Sequence, residues 1–467
     1  MFLKRYIGDK VFYRTVLGIS LPIMVQNGIT NFVSLLDNIM VGTLGTEEMS
    51  GVSIVNQFIF VFNILIFGAV SAAGIFTAQY HGFGDNEGVR DTFRFKFLAN
   101  VVVALCAVAV FAVFDDTLIS LFLHDGSTEG DLALTLERGK EYLTVILVGM
   151  VPYALSQVYA SNMRETGQAV LPMIASIAAV VTNFVLNILL IFGYFGFPAL
   201  GVVGAAIATV ISRFVELFVL VIWGHTHTDK CPYLIGAFRS LHIPRTLFRR
   251  IFMTGLPLMF NELFWSLSVT MRNQCFSTRG LDVVAAQNIN STIVNLFNVV
   301  YLALGSSIGI VVGNLLGAGK LEEAKDTNRR MIFFSVLCAT GMGVILSVIA
   351  APYTWLYEPT AAVRDIAVFM ILVSAITMPL CAYAHASYFT LRTGGKVLIT
   401  FLLDSGYMWL IVVPITAILA YFTDLGIHTV FIVGQAAEAT KCVLAAYLLK
   451  KGTWANQLVS NEEAVRD

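Results

Sequence analysis

Residues 71–96 read SAAGIFTAQYHGFGDNEGVRDTFRFK, and residues 306–331 repeat the pattern as SSIGIVVGNLLGAGKLEEAKDTNRRM. Nine of these 26 aligned positions are identical at an offset of 235 residues, well above the roughly one in fifteen that composition alone gives. The same offset holds without a gap for about 75 positions and aligns Leu21-Pro22-x-Met24 with Leu256-Pro257-x-Met259. The chain is therefore predicted to contain two copies of one structural unit.

The composition indicates an integral membrane protein. Apolar residues make up 57% of the chain and charged residues only 13%, so a water-soluble domain of this length would lack the polar side chains to cover its surface. Stretches of about 18 or more apolar residues recur, and each is long enough to cross a hydrocarbon core of about 30 Å as a helix. We place twelve spans at approximately residues 14–42, 52–80, 93–114, 139–161, 169–192, 201–223, 250–277, 286–312, 331–350, 362–390, 398–422 and 427–449.

The repeat divides these spans into six and six. The later part of each half repeats more loosely, because Arg164-x-x-Gly167 returns as Arg392-x-x-Gly395. An even number of spans per half gives both halves the same orientation, related by an axis along the membrane normal. The predicted fold class is an all-α integral membrane protein with twelve transmembrane helices in two pseudo-symmetric six-helix lobes. We predict an N-terminal lobe at residues 1–224, a cytoplasmic linker at 225–249, a C-terminal lobe at 250–450 and a cytoplasmic tail at 451–467.

Basic residues predict the orientation, since loops rich in Lys and Arg stay in the cytoplasm. If the N-terminus is inside, 22 of the 29 Lys and Arg fall on inner segments. Only Arg138, Lys140, Arg279 and Arg364 fall on outer segments. Both termini are therefore predicted to lie in the cytoplasm, with the chain in the cytoplasmic membrane. The start MFLKRYIGDKVFY shows no cleavable signal.

Several motifs, in this order, resemble those of the multidrug and toxic compound extrusion family. They are Leu36–Gly45 (LDNIMVGTLG), the Gly82-x-Gly84 loop, Asn183–Gly193 (NFVLNILLIFG), Gly204–Thr209 (GAAIAT) and the two Arg-x-x-Gly loops. The resemblance covers essentially the whole chain. It implies an ion-coupled efflux antiporter whose two six-helix lobes surround a central cavity that opens alternately to each side. It also implies that the coupling ion binds in the first lobe, around Asp37.

A carboxylate near mid-membrane costs about 2.5 to 3.5 kcal/mol and needs a partner or a function. The five that we place there are Asp37, Glu216, Glu262, Asp404 and Glu438. Glu216 lies three residues from Arg213, and Glu438 lies three residues from Lys441, so each pair shares a helical face. We interpret both as structural ion pairs. Asp404 lies near the inner end of its span, where pairing with Lys441 and a functional role are both open.

Asp37 is different, because no basic residue lies one turn away from it. Depth within the spans places Asp37, Asn183, Asn187 and Thr209 together in the outer half of the first lobe. Carboxylate, amide and hydroxyl oxygens are the ligands that sodium needs, and the same carboxylate can carry a proton. These four residues are the predicted ion-coupling site. The alternative is a buried Asp37 that only braces its helix through hydrogen bonds.

The second lobe lacks this cluster, because the repeat aligns Asp37 with Arg272 and Asn27 with Glu262. Glu262 is our candidate for attracting cationic substrates, although it could instead pair with Arg272. The predicted substrate-binding residues are Glu262, Asn27, Gln287, Trp265 and Arg272. No metal site is expected apart from possible sodium at Asp37, because His225, His227 and Cys231 offer too few ligands.

The preferred function is a secondary antiporter that exports amphipathic, cationic organic compounds in exchange for protons or sodium. It needs no cofactor beyond the coupling ion, and its expected partners are small organic molecules and the lipid bilayer rather than nucleic acid. We expect a monomer. A lipid-linked oligosaccharide flippase of similar fold is the first alternative, but it would need several cavity arginines. A membrane-embedded enzyme is the second, and the chain shows no catalytic constellation.

Overall fold

The structure is a computed structural model that describes residues 6–122, 132–357 and 360–459. These residues form helices and no strand. The helices are α1 (Lys10–Gly42), α2 (Thr46–Phe83), α3 (Asn86–Val113), the short α4 (Asp115–Ser120), α5 (Leu132–Glu165), α6 (Val170–Phe192), α7 (Gly201–Thr226), α8 (Arg245–Ser277), α9 (Leu281–Gly317), α10 (Leu321–Trp355), α11 (Ala361–Thr393), α12 (Val397–Phe422) and α13 (Ile427–Lys450). The predicted all-α fold with twelve long helices is confirmed.

Among the described residues, eleven helices are long and apolar enough to cross a membrane. The twelfth long helix, α8, is not apolar enough to be counted, although it forms over the predicted seventh span and has 33 residues. Its composition is more polar because it contains three arginines in its first turns and then Asn261, Glu262 and Arg272. These mid-helix groups have partners within the protein, as described below, which lowers the cost of placing them in a bilayer.

The residues group into two compact units. The amino-terminal unit comprises residues 25–77 and 85–251, and the carboxy-terminal unit comprises residues 1–24, 78–84 and 252–467. Helix α2 therefore runs through the amino-terminal unit and ends in the carboxy-terminal one. With 38 residues it is about 57 Å long at 1.5 Å per residue, well beyond the thickness of a hydrocarbon core.

Small residues bring α6 and α7 close together in the amino-terminal unit. A Cβ added at Gly204 would overlap the backbone carbonyl of Leu190, so only glycine permits this approach. Gly193 ends α6 in the left-handed conformation, at φ 73°, which glycine adopts without strain. The GAAIAT motif therefore sets the distance between the two helices that carry most of the predicted ion site.

The duplicated glycine motif forms a pseudo-symmetric helix crossing in the carboxy-terminal unit. A Cβ at Gly82 would overlap the backbone of Asn314, and a Cβ at Gly317 would overlap the backbone of Gln79. Each contact maps onto the other at the offset of 235 residues, so the crossing is the contact expected of two copies facing each other. The ends of α2 and α9 approach this closely because both contact positions are glycine.

The segment after α13 packs against this crossing. Trp454 is only 3% exposed and Val459 only 1%. The amide of Gln79 donates to the Asn456 carbonyl (3.3 Å) and accepts from the Leu458 backbone N–H (2.6 Å). The Gln457 amide donates to the Gly317 carbonyl at 2.9 Å. This segment, residues 454–459, is called the tail latch below.

We expect Gly82→Ala and Gly317→Ala to destabilise the protein, because a methyl group at either position must push the two backbones apart. Overpacking of this kind costs about 1 to 3 kcal/mol. Gly341→Ala is the matched control, since a Cβ at this exposed helical glycine meets nothing within 4 Å. Thermal unfolding in detergent, followed by tryptophan fluorescence, measures the effect. Equal unfolding temperatures for all three variants would show that the crossing tolerates a side chain.

Candidate ion site and carboxy-terminal polar network

Asp37 projects from α1 and is half-buried. The amide nitrogen of Asn187 on α6 donates to its Oδ1 at 2.6 Å. Asn187 is only 2% exposed, so this hydrogen bond is shielded from solvent and is stronger than one in water. The structure thus brings together two of the four residues predicted for the ion site.

Asn183 and Thr209 complete the cluster. Asn183 lies four residues before Asn187, on the same face of α6. In one orientation of its amide, Asn183 accepts a hydrogen bond from Asn187 (3.2 Å) and donates to the Thr209 hydroxyl (3.3 Å). In the reversed orientation its nitrogen donates to both Asp37 oxygens, at 3.0 and 3.1 Å, and its oxygen accepts from Thr209. The four predicted residues therefore form a chain, Asp37–Asn187–Asn183–Thr209, in which each side chain lies within hydrogen-bonding distance of the next.

The two amide orientations suit two states of the carboxylate. An amide nitrogen facing Asp37 stabilises a bare negative charge. An amide oxygen about 3 Å from a carboxylate oxygen is repulsive unless a proton or cation lies between them. The Oδ1 atom of Asn187 is also buried and makes no hydrogen bond within the described part of the chain. The cluster therefore holds more oxygen acceptors than it has donors, which fits a cation or a proton.

A cavity of about 340 Å³ opens beside the cluster within the amino-terminal unit. Asp37, Asn187 and Thr209 form part of its wall. Aromatic side chains, among them Phe60 and Tyr153, form another part. An acid beside aromatic rings in a partly enclosed space is a chemistry that suits an organic cation.

Arg213 also lines this cavity. Its guanidinium lies 4.7 Å from the centroid of the Tyr153 ring, and its contact with Glu216, expected from the sequence, is long at 3.5 Å. No salt bridge between Arg213 and Asp37 is found among the described residues, so Asp37 is not locked to a basic partner.

The carboxy-terminal unit contains a different arrangement, in which acids and bases pair. The expected contact of Glu438 with Lys441 is present at 3.4 Å, and Lys441 also contacts Asp404 at 3.6 Å. Arg272 donates to Glu438 at 2.5 Å. Arg272 thus pairs with α13 and not, as the sequence left open, with Glu262 on its own helix.

Glu262 accepts a hydrogen bond from the Tyr388 hydroxyl on α11 at 3.0 Å. The preceding residue, Asn261, is buried and donates to Asp404 at 3.1 Å. Asn261 also binds the backbone and hydroxyl of Ser405, where α12 is π-helical over Leu402–Gly406. Sequence reasoning missed Asn261, although an Asn-Glu pair four and five residues after Pro257 was the available signal. π-Helical turns occur often at functional sites.

The other predicted substrate residues are more dispersed. Trp265 is 42% exposed, one turn after Glu262. Gln287 donates a long hydrogen bond to Asn273, at 3.4 Å. Asn27 is exposed on α1 and belongs to the amino-terminal unit, whereas the other four belong to the carboxy-terminal unit. The structure therefore does not gather these five residues into one cluster within a single unit.

Comparisons with known proteins identify the family. A family model described as MatE matches residues 22–189 and 257–422, one segment in each repeat. The chain is 23% identical over 466 residues to a probable multidrug resistance protein NorM of Thermotoga maritima, covering 97% of this chain and 96% of the relative. It is 25% identical over 432 residues to a protein of the same description from Halalkalibacterium halodurans, covering 91% of each.

Solved structures show the same fold. A crystal structure of a MATE protein in the straight conformation has a TM-score of 0.85 to this chain, at 19% identity, covering 97% of this chain and 98% of the other. The match to the family model extends over both repeats and most of the sequence. The chain therefore belongs to the MatE family of ion-coupled efflux antiporters, which are membrane transporters and not enzymes.

Proposed function

We propose that this antiporter exports amphipathic organic cations and that Asp37, Asn183, Asn187 and Thr209 form the seat of its coupling ion, a proton or sodium. One observation carries the proposal: Asp37 belongs both to the oxygen cluster and to the wall of the 340 Å³ cavity. A proton or sodium ion at Asp37 and an organic cation in the cavity would therefore compete for the same negative charge. Competition of this kind makes the binding of one cation favour the release of the other.

The amides supply the reversible part of this mechanism. When the carboxylate is bare, Asn183 and Asn187 present nitrogen to it, and the short bond from Asn187 stabilises the charge. When a proton or sodium ion is bound, the amides rotate and present oxygen. Side-chain rotation requires no backbone movement, so the seat accepts and releases the ion without rebuilding the helices. Alternating access then exposes Asp37 to each side of the membrane in turn.

Orientation, location and assembly belong to the same proposal. The inner segments carry most of the basic residues, which supports cytoplasmic termini and a cytoplasmic-membrane location. Among curated relatives, bacterial proteins described as multidrug resistance proteins support the same membrane. We propose that the chain works as a monomer, since the oxygen cluster and the cavity beside it are both built within one unit of one chain.

The lipid-linked oligosaccharide flippase is less well supported. A phosphate-bearing substrate needs several unpaired arginines. Arg213 is the one basic residue among the described residues lining the 340 Å³ cavity, and Asp37 lines the same cavity. In the carboxy-terminal unit Arg272 is already paired with Glu438. The single arginine of this lining lies on the Tyr153 ring and shares the wall with an acid, so the cavity lacks the cluster of unpaired arginines that a phosphate needs.

We expect Asp37→Asn to reduce ion-driven ethidium export by at least about tenfold, because an amide can neither carry a proton nor neutralise sodium. The measurement is dye export in proteoliposomes under an imposed proton gradient and, separately, an imposed sodium gradient. Asp282→Asn, at an exposed acid in the first turn of α9, is the control and should transport as the unmodified protein does. Undiminished export by Asp37→Asn under the gradient that drives the unmodified protein would remove Asp37 from the coupling mechanism.

We expect Glu262→Gln to weaken the binding of cationic dyes by about fivefold or more and that of neutral compounds by less than about twofold, because only the charge is lost. Tyr388→Phe is the matched variant, since it removes the 3.0 Å hydrogen bond but keeps the carboxylate. It should retain the preference for cations. Equilibrium dye binding measured by fluorescence anisotropy tests both variants, and equal weakening of cationic and neutral ligands would count against a role for the Glu262 charge.

A further inference from the structure

A second buried acid, Glu216, lies on α7 in the same unit as Asp37. It is only 3% exposed and follows Thr209 by seven residues, about 10 Å along the helix. Since α7 ends at Thr226, Glu216 lies towards the end of the helix that the charge distribution places in the cytoplasm. Glu216 is therefore deeper towards the cytoplasm than the Asp37 cluster.

A line of polar side chains leads onward from Glu216. The Ser176 hydroxyl on α6 donates to its Oε1 at 2.7 Å. The Gln26 amide on α1 donates to the Ser176 hydroxyl, also at 2.7 Å. Arg164, near the last residue of α5, donates to the Gln26 carbonyl oxygen at 3.3 Å. The line thus runs through four helices of the amino-terminal unit and ends at the turn between α5 and α6.

The charge of Glu216 is only loosely compensated. The charged groups that face it are Arg213 on its own helix, at 3.5 Å, and Arg164 on α5. Arg213 is 35% exposed and lies on the Tyr153 ring. Glu165, the neighbour of Arg164, is occupied by the buried Lys96.

The negative charge of Glu438, in the other unit, is firmly compensated. It is held by two cations, Arg272 at 2.5 Å and Lys441 at 3.4 Å. Lys441 is the repeat counterpart of Arg213, but the position that matches Glu216 at the offset of 228 is Leu444. An acid at this position therefore occurs in one half of the duplication only, and a structural requirement of the shared fold does not explain it.

We propose that Glu216 is a second binding station for the coupling ion, through which a proton or sodium ion passes between Asp37 and the cytoplasm. The proposal rests on the proposed function of Asp37. Arg213, between Thr209 and Glu216 on α7, separates the two stations and lines the cavity that Asp37 also lines. An ion that moves from Asp37 to Glu216 replaces Arg213 as the counter-charge of Glu216. The released Arg213 guanidinium then faces Asp37, the carboxylate that the ion has left. Charge stays balanced at both acids while the ion moves.

The test varies the ion concentration on each face of proteoliposomes independently, with the proton and sodium arms run separately. We expect Glu216→Gln to slow ion-driven dye export about fivefold or more and to lose its dependence on the ion at the cytoplasmic face. Dependence on the ion at the opposite face should remain, and dye affinity should stay within about twofold, because Asp37 is intact. Glu216→Asp keeps a titratable carboxylate and should restore the cytoplasmic-face dependence. A merely structural Glu216 would change neither dependence selectively.

Ser176→Ala is the second variant, since it removes the 2.7 Å hydrogen bond and keeps every charge. It should show a smaller loss of the same cytoplasmic-face dependence, and it keeps the proposal testable if Glu216→Gln does not fold. Responses like those of the unmodified protein at both faces, in either variant that folds, would overturn the second station. If Asp37→Asn is inactive in that case, only the second station is wrong; if Asp37→Asn transports normally, the proposed ion seat itself is wrong.

Discussion

The hydrogen bond from Asn187 to Asp37 is the interaction on which the proposed ion seat depends. A carboxylate inside the membrane costs about 2.5 to 3.5 kcal/mol, and a short amide contact at 2.6 Å offsets much of that cost. Gly204 lets α7 approach α6 closely and thereby places Thr209 beside Asn183, which also accepts a hydrogen bond from Asn187. An amide can also turn either its donor nitrogen or its acceptor oxygen towards the carboxylate, whereas a cation such as lysine can only donate. The site is therefore stable without being permanently neutralised.

Duplication preserved the scaffold while the charges diverged. The same Asp-x-x-Arg pair follows the glycine turn in each half, Asp91 with Arg94 and Asp326 with Arg329, both at 3.0 Å. Inside the membrane the halves differ, since Asp37 is matched by Arg272. In the carboxy-terminal unit Asp404 and Glu438 pair with Lys441 and Arg272, whereas in the amino-terminal unit amides, hydroxyls and one loosely held arginine surround Asp37 and Glu216. A half whose mid-membrane acids are paired and a half with exchangeable charges fit the proposed coupling of ion movement to one half only.

Sequence reasoning predicted the fold and the clustering of Asp37 with Asn183, Asn187 and Thr209 because both follow from local rules. Apolar length predicts spans, the repeat predicts their grouping, and depth along each span places Asp37 near Asn187. Pairs three residues apart, such as Arg213 with Glu216, follow from helix geometry alone. The contact of Arg272 with Glu438 could not be predicted, because it joins α8 to α13 and depends on how those helices pack. The hydrogen bonds from Gln26 through Ser176 to Glu216 could not be predicted for the same reason. Neither could the contacts of Asn261 with α11 and α12.

The tail latch also has a consequence for biogenesis. Gln79 is synthesised 377 residues before Asn456 and 379 residues before Leu458, whose backbone groups satisfy its side chain. Until then the buried amide of Gln79 lacks two of its partners, so the contact between α2 and α9 matures only after residues 456–458 have been synthesised.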